Sequence, residues 1–369
     1  IDYMHPDLQG NIYLNSGETP ANGVDDDGNG FVDDYYGYDF ANTDRNPMDD
    51  NDHGTHVAGT IGARGNNARG VTGVNWQVGL LAVKVLDSQG SGFLSDVAAG
   101  IEYAADRGAS VINLSLGGPS NAQVLQNAVT YARTQNVLLV VAAGNESSDN
   151  DSVPSYPGNF SADNILVVAA TNSSDALTKF SNYGVTKVDV AAPGSDILST
   201  TPSDTYQSIS GTSMATPHVA GLAALIKGVN PTLGYADIKT IIMNTVDSQA
   251  SLLGRIVTGG RINATSAIAV AISGTAPTPP TDVLFGNNKL TLSIERSQRR
   301  AYLFGEIFDS NGNLLADKAV HLLCKKRQVA TRVSDLSGYY ELERRRPKVH
   351  TRCYVKDDNG NRSRSVRLR

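Results

Sequence analysis

Four short segments carry residue types suited to chemistry. They are Asp52-His53-Gly54-Thr55-His56-Val57-Ala58-Gly59, Asn113-Leu114-Ser115-Leu116-Gly117-Gly118, Ala142-Ala143-Gly144-Asn145 and Gly211-Thr212-Ser213-Met214-Ala215-Thr216-Pro217-His218. Acyl transfer to a hydroxyl needs a nucleophile, a base that takes its proton, and donors that stabilise the oxyanion. Ser213 opens a long apolar helical run, 213–227. The free amides and dipole at a helix start favour developing negative charge. His53 opens another helical run, 53–63, and is the expected base. Asn145 follows the apolar run 137–143, where its amide is expected to donate to the oxyanion beside the Ser213 N–H. Any one segment alone is weak, since a lone His near a helix start is usually structural and a Gly-Thr-Ser triplet is usually a loop. Both cysteines, Cys324 and Cys353, lie outside all four segments, so a cysteine nucleophile is excluded there.

These residues need a frame. Runs rich in Val, Ile and Leu fall at 78–86, 110–116, 137–143, 165–170 and 188–192, with helical patterns at 95–106 and 122–134 between them. Strands that are apolar on both faces and joined by helices predict an α/β fold, a doubly wound parallel sheet with helices on both faces. In such sheets ligands bind beyond the carboxyl ends of the strands, which makes the residues just after each strand informative. Residues 274–282, Gly-Thr-Ala-Pro-Thr-Pro-Pro-Thr-Asp, read as a linker. Beyond it come short alternating strands at 289–294, 301–309, 319–324, 339–343 and 351–356, separated by turn signals at 310–313 and 358–361. This pattern predicts a small C-terminal antiparallel β-sandwich without catalytic residues. The expected organisation is a catalytic domain over 1–273, a linker over 274–282 and an accessory domain over 283–369.

Taken together and in this order, the four segments resemble the subtilase family of serine proteases, over roughly residues 1–270. The resemblance implies a secreted endopeptidase that acts on polypeptides through an acyl-enzyme on Ser213. It makes His53 the catalytic member of the histidine pair and His56 a packing residue. His218, inside the serine helix, and His5, before Pro6, are expected to be structural. By the same resemblance Ser115, Leu116 and Gly117 pair with extended substrate as an added strand. Ala142, Ala143 and Gly144 form the other wall of the pocket for the residue before the cut, with Ser155 at its base. Small uncharged walls predict broad specificity with some preference for apolar side chains. Subtilases carry a third triad member in an Asp-Ser/Thr-Gly turn. Ile1 corresponds to the residue directly after that glycine, which places the aspartate three positions upstream. Asp2 lacks the following Ser/Thr-Gly and is no substitute. The chain as given is therefore expected to be nearly inactive and to lack a central strand, and a propeptide is expected upstream.

Residues 25–33, Asp25-Asp26-Asp27-Gly28-Asn29-Gly30-Phe31-Val32-Asp33, place oxygen side chains at positions 1, 3, 5 and 9 of a loop with Gly at position 6. That matches the first part of an EF-hand loop, in which position 7 supplies a backbone carbonyl, here that of Phe31. Calcium is the expected cofactor, with Asp25, Asp27, Asn29, Phe31 and Asp33 as ligands. Position 12 is Tyr36 rather than Glu, so the last ligand must come from elsewhere, Asp34 being nearest. Clustered aspartates without a cation repel one another. The family resemblance implies a second calcium site built on Asp7, Asn67 and carbonyls of the loop 65–71.

Charge divides the chain as the strand pattern does. Residues 283–369 hold 19 Lys/Arg and 9 Asp/Glu, a net of +10, whereas residues 1–282 hold 12 and 28, a net of −16. An acidic body with a basic tail fits two units with different tasks. The basic end suits polyanions, or equally a solvated surface docking on the acidic domain; no nucleic acid is expected as a partner. The longest apolar runs are strand-sized, far short of the roughly 20 residues of a membrane span. With two cysteines, both in the tail, a disulfide there fits an exported protein, two free thiols in adjacent strands being the alternative. The competing function is a calcium-stabilised peptide-binding or adhesion protein whose groove does not cut.

Overall fold

The structure is a computed structural model. It describes residues 1–273 throughout and, beyond them, the backbone of nine strands between Val283 and Leu368. Contacts divide the chain into two units, Ile1–Ala276 and Pro277–Arg369.

The first unit alternates strands and helices. Its strands are β1 Gly37–Asp39, β2 Ala82–Lys84, β3 Val111–Leu114, β4 Leu138–Ala142, β5 Ile165–Thr171, β6 Val190–Pro193, β7 Ile197–Thr201, β8 Thr205–Ile209, β9 Asp247–Ser248 and β10 Gly260–Arg261. Its helices are α1 His53–Gly62, α2 Leu94–Asp106, α3 Gln123–Thr134, α4 Thr212–Val229, α5 Tyr235–Asn244 and α6 Ala264–Ser273. The main sheet runs β3-β4-β5-β6-β10-β9, parallel from β3 to β10 and closed by the antiparallel β9.

Every residue of β4 is buried, because both faces are covered. Leu139 and Val141 pack with Val97 and Ile101 of α2 and Leu125 and Val129 of α3. Leu138 and Val140 point the other way, among Val219, Leu222 and Ile226 of α4 and Ile238 and Ile242 of α5. The period of two in a strand thus feeds two cores. Burying each such side chain stabilises by about 1.5–3 kcal/mol. This is the doubly wound α/β sheet expected from the apolar runs. The sequence pattern missed α6 and the antiparallel hairpin β7–β8.

The sheet is split at one place. β1 and β2 form a separate parallel pair, and β2 does not pair with β3. Between them lies a cavity of about 1270 Å³, lined by Val83 and Val85 on one side and Ile112 and Leu114 on the other, with His53 on its wall. Among the described residues no helix is long and apolar enough to cross a membrane.

The tail strands pair antiparallel into two sheets. In one of them the strand Ala319–Cys324 lies beside Thr351–Asp357, and Cys324 stands directly opposite Cys353. The side chains that would pack the expected sandwich, and the linker 274–282, lie outside the described residues.

Candidate active site

Ser213 stands in the first turn of α4, which follows the extended Gly211. Pro217 lies four residues further on and has no N–H, so the Ser213 carbonyl loses its usual helical donor. The Ser115 hydroxyl, just beyond the end of β3, donates to that carbonyl at 2.8 Å. In return the Ser213 hydroxyl donates to the Ser115 carbonyl at 3.3 Å. This reciprocal clasp fixes the helix start against the mouth of the sheet.

Asn145 lies three residues past the end of β4. Its Oδ1 accepts from the Thr212 N–H at 2.8 Å and from the Thr212 hydroxyl at 3.0 Å. Both donors therefore fix the amide oxygen, and Nδ2 has no acceptor among the described residues. Gly211, one residue from Thr212, has room beside it, since a Cβ there would sit 3.7 Å from both amide atoms of Asn145. A free donor beside a helix N-terminus is suited to an oxyanion.

His53 is the first residue of α1 and is half-buried. Asp49 holds this helix start, its Oδ2 accepting from Thr55 N–H at 2.7 Å and Thr55 Oγ1 at 2.5 Å. Burial pushes the His53 imidazole below its ordinary value, and the Asp49 charge opposes that only in part. His53 is thus neutral at pH 7 and able to take a proton. Among the described residues, no hydrogen bond joins His53 to Ser213 or to a carboxylate. Asp2 is committed elsewhere, accepting from Met4 N–H at 3.0 Å and Ser203 N–H at 3.1 Å.

Three other histidines, His5, His56 and His218, are held by backbone groups. His56 is fully buried, and its Nε2 lies 2.9 Å and 3.0 Å from the carbonyls of Ile197 and Gln207. Carbonyls only accept, so Nε2 carries the proton. His218 Nδ1 faces the Met214 carbonyl, and His5 Nδ1 accepts from Asp7 N–H to hold a turn.

The segments Ser115–Gly118 and Ser155–Tyr156 are joined in both directions. Gly118 N–H donates to the Tyr156 carbonyl and Tyr156 N–H to the Gly118 carbonyl. A Cβ on Gly117 would sit 3.0 Å from Ser155 Oγ, so bulk at 117 would crowd the Ser155 hydroxyl. Leu116 is half-buried against the core that holds Leu114. Ala142 and Ala143 are buried, and Gly144 turns the chain with φ +113°.

The subtilase family model matches residues 1–272. The chain belongs to the subtilase family. A thermophilic serine proteinase of Bacillus sp. (strain AK1) is 44% identical over 268 residues, which cover 73% of this chain and 59% of that protein. Thermitase of Thermoactinomyces vulgaris is 47% identical over 232 residues, covering 63% and 80%. A cold-adapted subtilisin-like serine proteinase of known structure superposes with a TM-score of 0.57 at 33% identity, covering 71% of this chain and 83% of its own. The chain thus spans less than two thirds of the first of these relatives.

Elsewhere in this subtilase, the acidic loop differs from the ligand set expected from spacing. Among the described residues, the carboxylates that converge are Glu18, Asp27 and Asp34, with oxygens within 4.8 Å of one another. Asn15 Nδ2 bridges Asp27 and Asp34, and Asn29 Nδ2 donates to Asp34 at 3.0 Å. Asn29 Oδ1 is turned to the Phe31 N–H at 2.7 Å. Asp25 instead caps Asn29 N–H and Gly30 N–H. Asp33, with φ +57°, is drawn to Arg45 and to the N–H groups of Asn22 and Gly23. Glu18 escaped the sequence reading because it lies outside the loop; its side chain accepts from Asp26, Asp27 and Asp33 N–H. Arg107, at the end of α2, pairs with Asp27 at 2.7 Å, and the buried Tyr103 donates to Asp34 at 2.7 Å.

Around Asp7 the groups that gather are donors. Asn67 Nδ2 donates to its Oδ1 at 2.5 Å, and Val71 N–H to its Oδ2 at 3.0 Å. Tyr206 donates to the same oxygen at 3.2 Å. Burial, with the Asp7 charge beside it, pushes that phenol up to about 12.

Proposed function

We propose that this protein is a serine endopeptidase in which Ser213 attacks the peptide carbonyl, His53 takes the hydroxyl proton, and Asn145 Nδ2 donates to the oxyanion beside the Ser213 N–H. The single observation that carries this reading is the fixed Asn145 amide, its oxygen bound twice by Thr212 and its nitrogen without an acceptor among the described residues. An amide held that way needs no reorganisation when charge develops, which is why such donors accelerate the reaction. The acyl-enzyme ester then forms as the C–N bond breaks, and the proton taken by His53 passes to the leaving amine. Extended polypeptide lies along Ser115–Gly117, with Ala142–Gly144 and Ser155 around the side chain before the cut. Neutral His53 at pH 7 suits the base role.

Calcium belongs to this reading as a stabiliser. Its donor set fits a hard cation: Glu18, Asp27 and Asp34 present only oxygen, with no imidazole or thiol among them. A second site on Asp7, Asn67 and carbonyls of the loop 65–71 rests on the family resemblance alone. Export from the cell and an upstream propeptide complete the proposal, on the strength of the family resemblance.

A fluorophosphonate should label the full-length protein at Ser213 and fail to label Ser213→Ala. Labelling that persists in Ser213→Ala would overturn the assignment. Peptide binding with no labelling of the unaltered protein would favour the non-cutting alternative.

A further inference from the structure

The loop that carries Asn145 has no helix or strand of its own, yet its position decides where the oxyanion donor stands. One buried side chain makes five hydrogen bonds to it. Asn182 is 2% exposed and spends all its polar capacity on this loop. Its Oδ1 accepts from Glu146 N–H at 2.9 Å and Ser148 N–H at 3.0 Å. Its Nδ2 faces the Ala143 carbonyl at 3.1 Å, Glu146 Oε2 at 2.8 Å and Asn150 Oδ1 at 3.1 Å. These partners fix which way the amide lies, since two donors face one end and three acceptors the other. They also bracket Asn145, with Ala143 before it and Glu146 after it.

The backbone adds to the clamp. Asn182 N–H donates to the Gly144 carbonyl, Ser147 N–H to the Phe180 carbonyl and Tyr183 N–H to the Ser148 carbonyl. The approach is so close that a Cβ on Gly144 would stand 2.3 Å from Asn182 Nδ2. Thr212 thus holds the Asn145 side chain from the helix, and Asn182 holds its backbone from the opposite side.

We infer that Asn182 is a positioning residue for the oxyanion donor, acting through Asn145 and touching no substrate. This deepens the proposed function and rests on Asn145 being the donor. A donor misplaced by about 1 Å loses on the order of a hundredfold in rate, whereas ground-state binding along Ser115–Gly117 is untouched. Loss of Asn182 should therefore fall on kcat and spare KM. Asp is the informative replacement. Its second oxygen, in place of Nδ2, donates nothing to the Ala143 carbonyl and repels the Glu146 carboxylate. Glu146→Gln restores one donor to that pair.

The test is a double-mutant cycle in the full-length protein, on one chromogenic peptide. Asn145→Ala alone should lower kcat on the order of 10²–10³-fold, a magnitude measured within this family rather than worked from these distances. Asn182→Ala should lower kcat roughly 10- to 100-fold with KM within about twofold. In the Asn145→Ala background, Asn182→Ala should add less than about twofold. Asn182→Asp should share the kcat defect, and adding Glu146→Gln should recover part of it. If Asn182→Ala does not fold, the Asp variant with and without Glu146→Gln carries the same cycle. Equal losses from the Asn182 change with and without Asn145 would overturn the inference, as would a loss confined to KM. An Asn145→Ala protein with unchanged kcat would instead refute the oxyanion reading itself.

Discussion

Asp27→Asn should leave stability nearly unchanged in chelator and lower it sharply in calcium. In the metal-free protein Asp27 faces Glu18 and Asp34, with oxygens within 4.8 Å. At an effective dielectric of about 20 each such repulsion is roughly 3.5 kcal/mol, so two give about 7 kcal/mol. Arg107 opposes them at 2.7 Å, and the same arithmetic gives about 6 kcal/mol of attraction. The Asp27 and Arg107 side chains are 19% and 18% exposed, so solvent shrinks both terms together. Removing the charge therefore changes the metal-free balance by about 1 kcal/mol or less. Calcium changes the balance, because an ion that binds only the folded state stabilises by mass action. At a thousandfold excess over Kd that amounts to about 4 kcal/mol. Losing one of three carboxylates and about a hundredfold in affinity would forfeit about 2.7 kcal/mol of it. For a unit of this size each kcal/mol moves Tm by roughly 2–4 °C, so the variant should melt about 5–11 °C lower in calcium. The assay is thermal melting of both proteins in EDTA and in millimolar calcium. Equal shifts in the two buffers, or unaltered protein whose curves coincide, would refute the reasoning. Asp33→Asn supplies a control, since its carboxylate is drawn to Arg45 and should lose stability alike in both buffers.

Three further outcomes follow. In the chain as given, the His53 imidazole should lose its proton below its ordinary value, because burial disfavours the imidazolium; an NMR titration that places it above that value would contradict this. Cys324 and Cys353 should be joined in protein prepared with a glutathione disulfide buffer. Opposed residues in antiparallel strands have Cα atoms about 4.5–5.5 Å apart, inside the disulfide window of about 4.4–6.8 Å. Digestion without reductant should yield the two peptides as one species, and alkylation of both thiols in unreduced, denatured protein would refute the pairing. Finally, the protein with its upstream segment but ended after Ala276 should keep peptide hydrolysis within about twofold, because the proposed His53, Asn145 and Ser213 lie in the first unit; a soluble truncated protein without activity would show the tail to be part of the catalytic fold.

Much of the site was legible in the chain alone, because its signals are short-range. His53 and Ser213 each open an apolar helical run, and Asn145 follows an apolar run that ends at Ala143. The strand Leu138–Ala142 is apolar at every position, so its burial on both faces follows without knowing its neighbours. Helix starts at His53 and near Ser213 are local events of the same kind, and the structure places them within a residue of expectation. What spacing alone cannot reveal is which side chains from distant segments meet. Loop position pointed to Asp25, Asp27 and Asp33, with Asp34 as the nearest further ligand, but it is Glu18, outside the loop, that stands with Asp27 and Asp34. Pro217 reads as a helix irregularity until Ser115, 98 residues from Ser213, is seen to take up the carbonyl it leaves free. Asn182 has no distinguishing pattern in sequence, and Thr212 shows only as part of the serine segment, because a polar residue's partners are set by packing and not by its own neighbours in the chain. The sequence by itself determined the family and most of the secondary elements around the site, and it named the candidate reacting groups, since hydrophobic period and motif order are properties of the chain. Only the tertiary structure decided the orientation of the Asn145 amide, the membership of the acidic cluster and the register that sets Cys324 against Cys353, because each depends on side chains or strands brought together across tens of residues by the two cores.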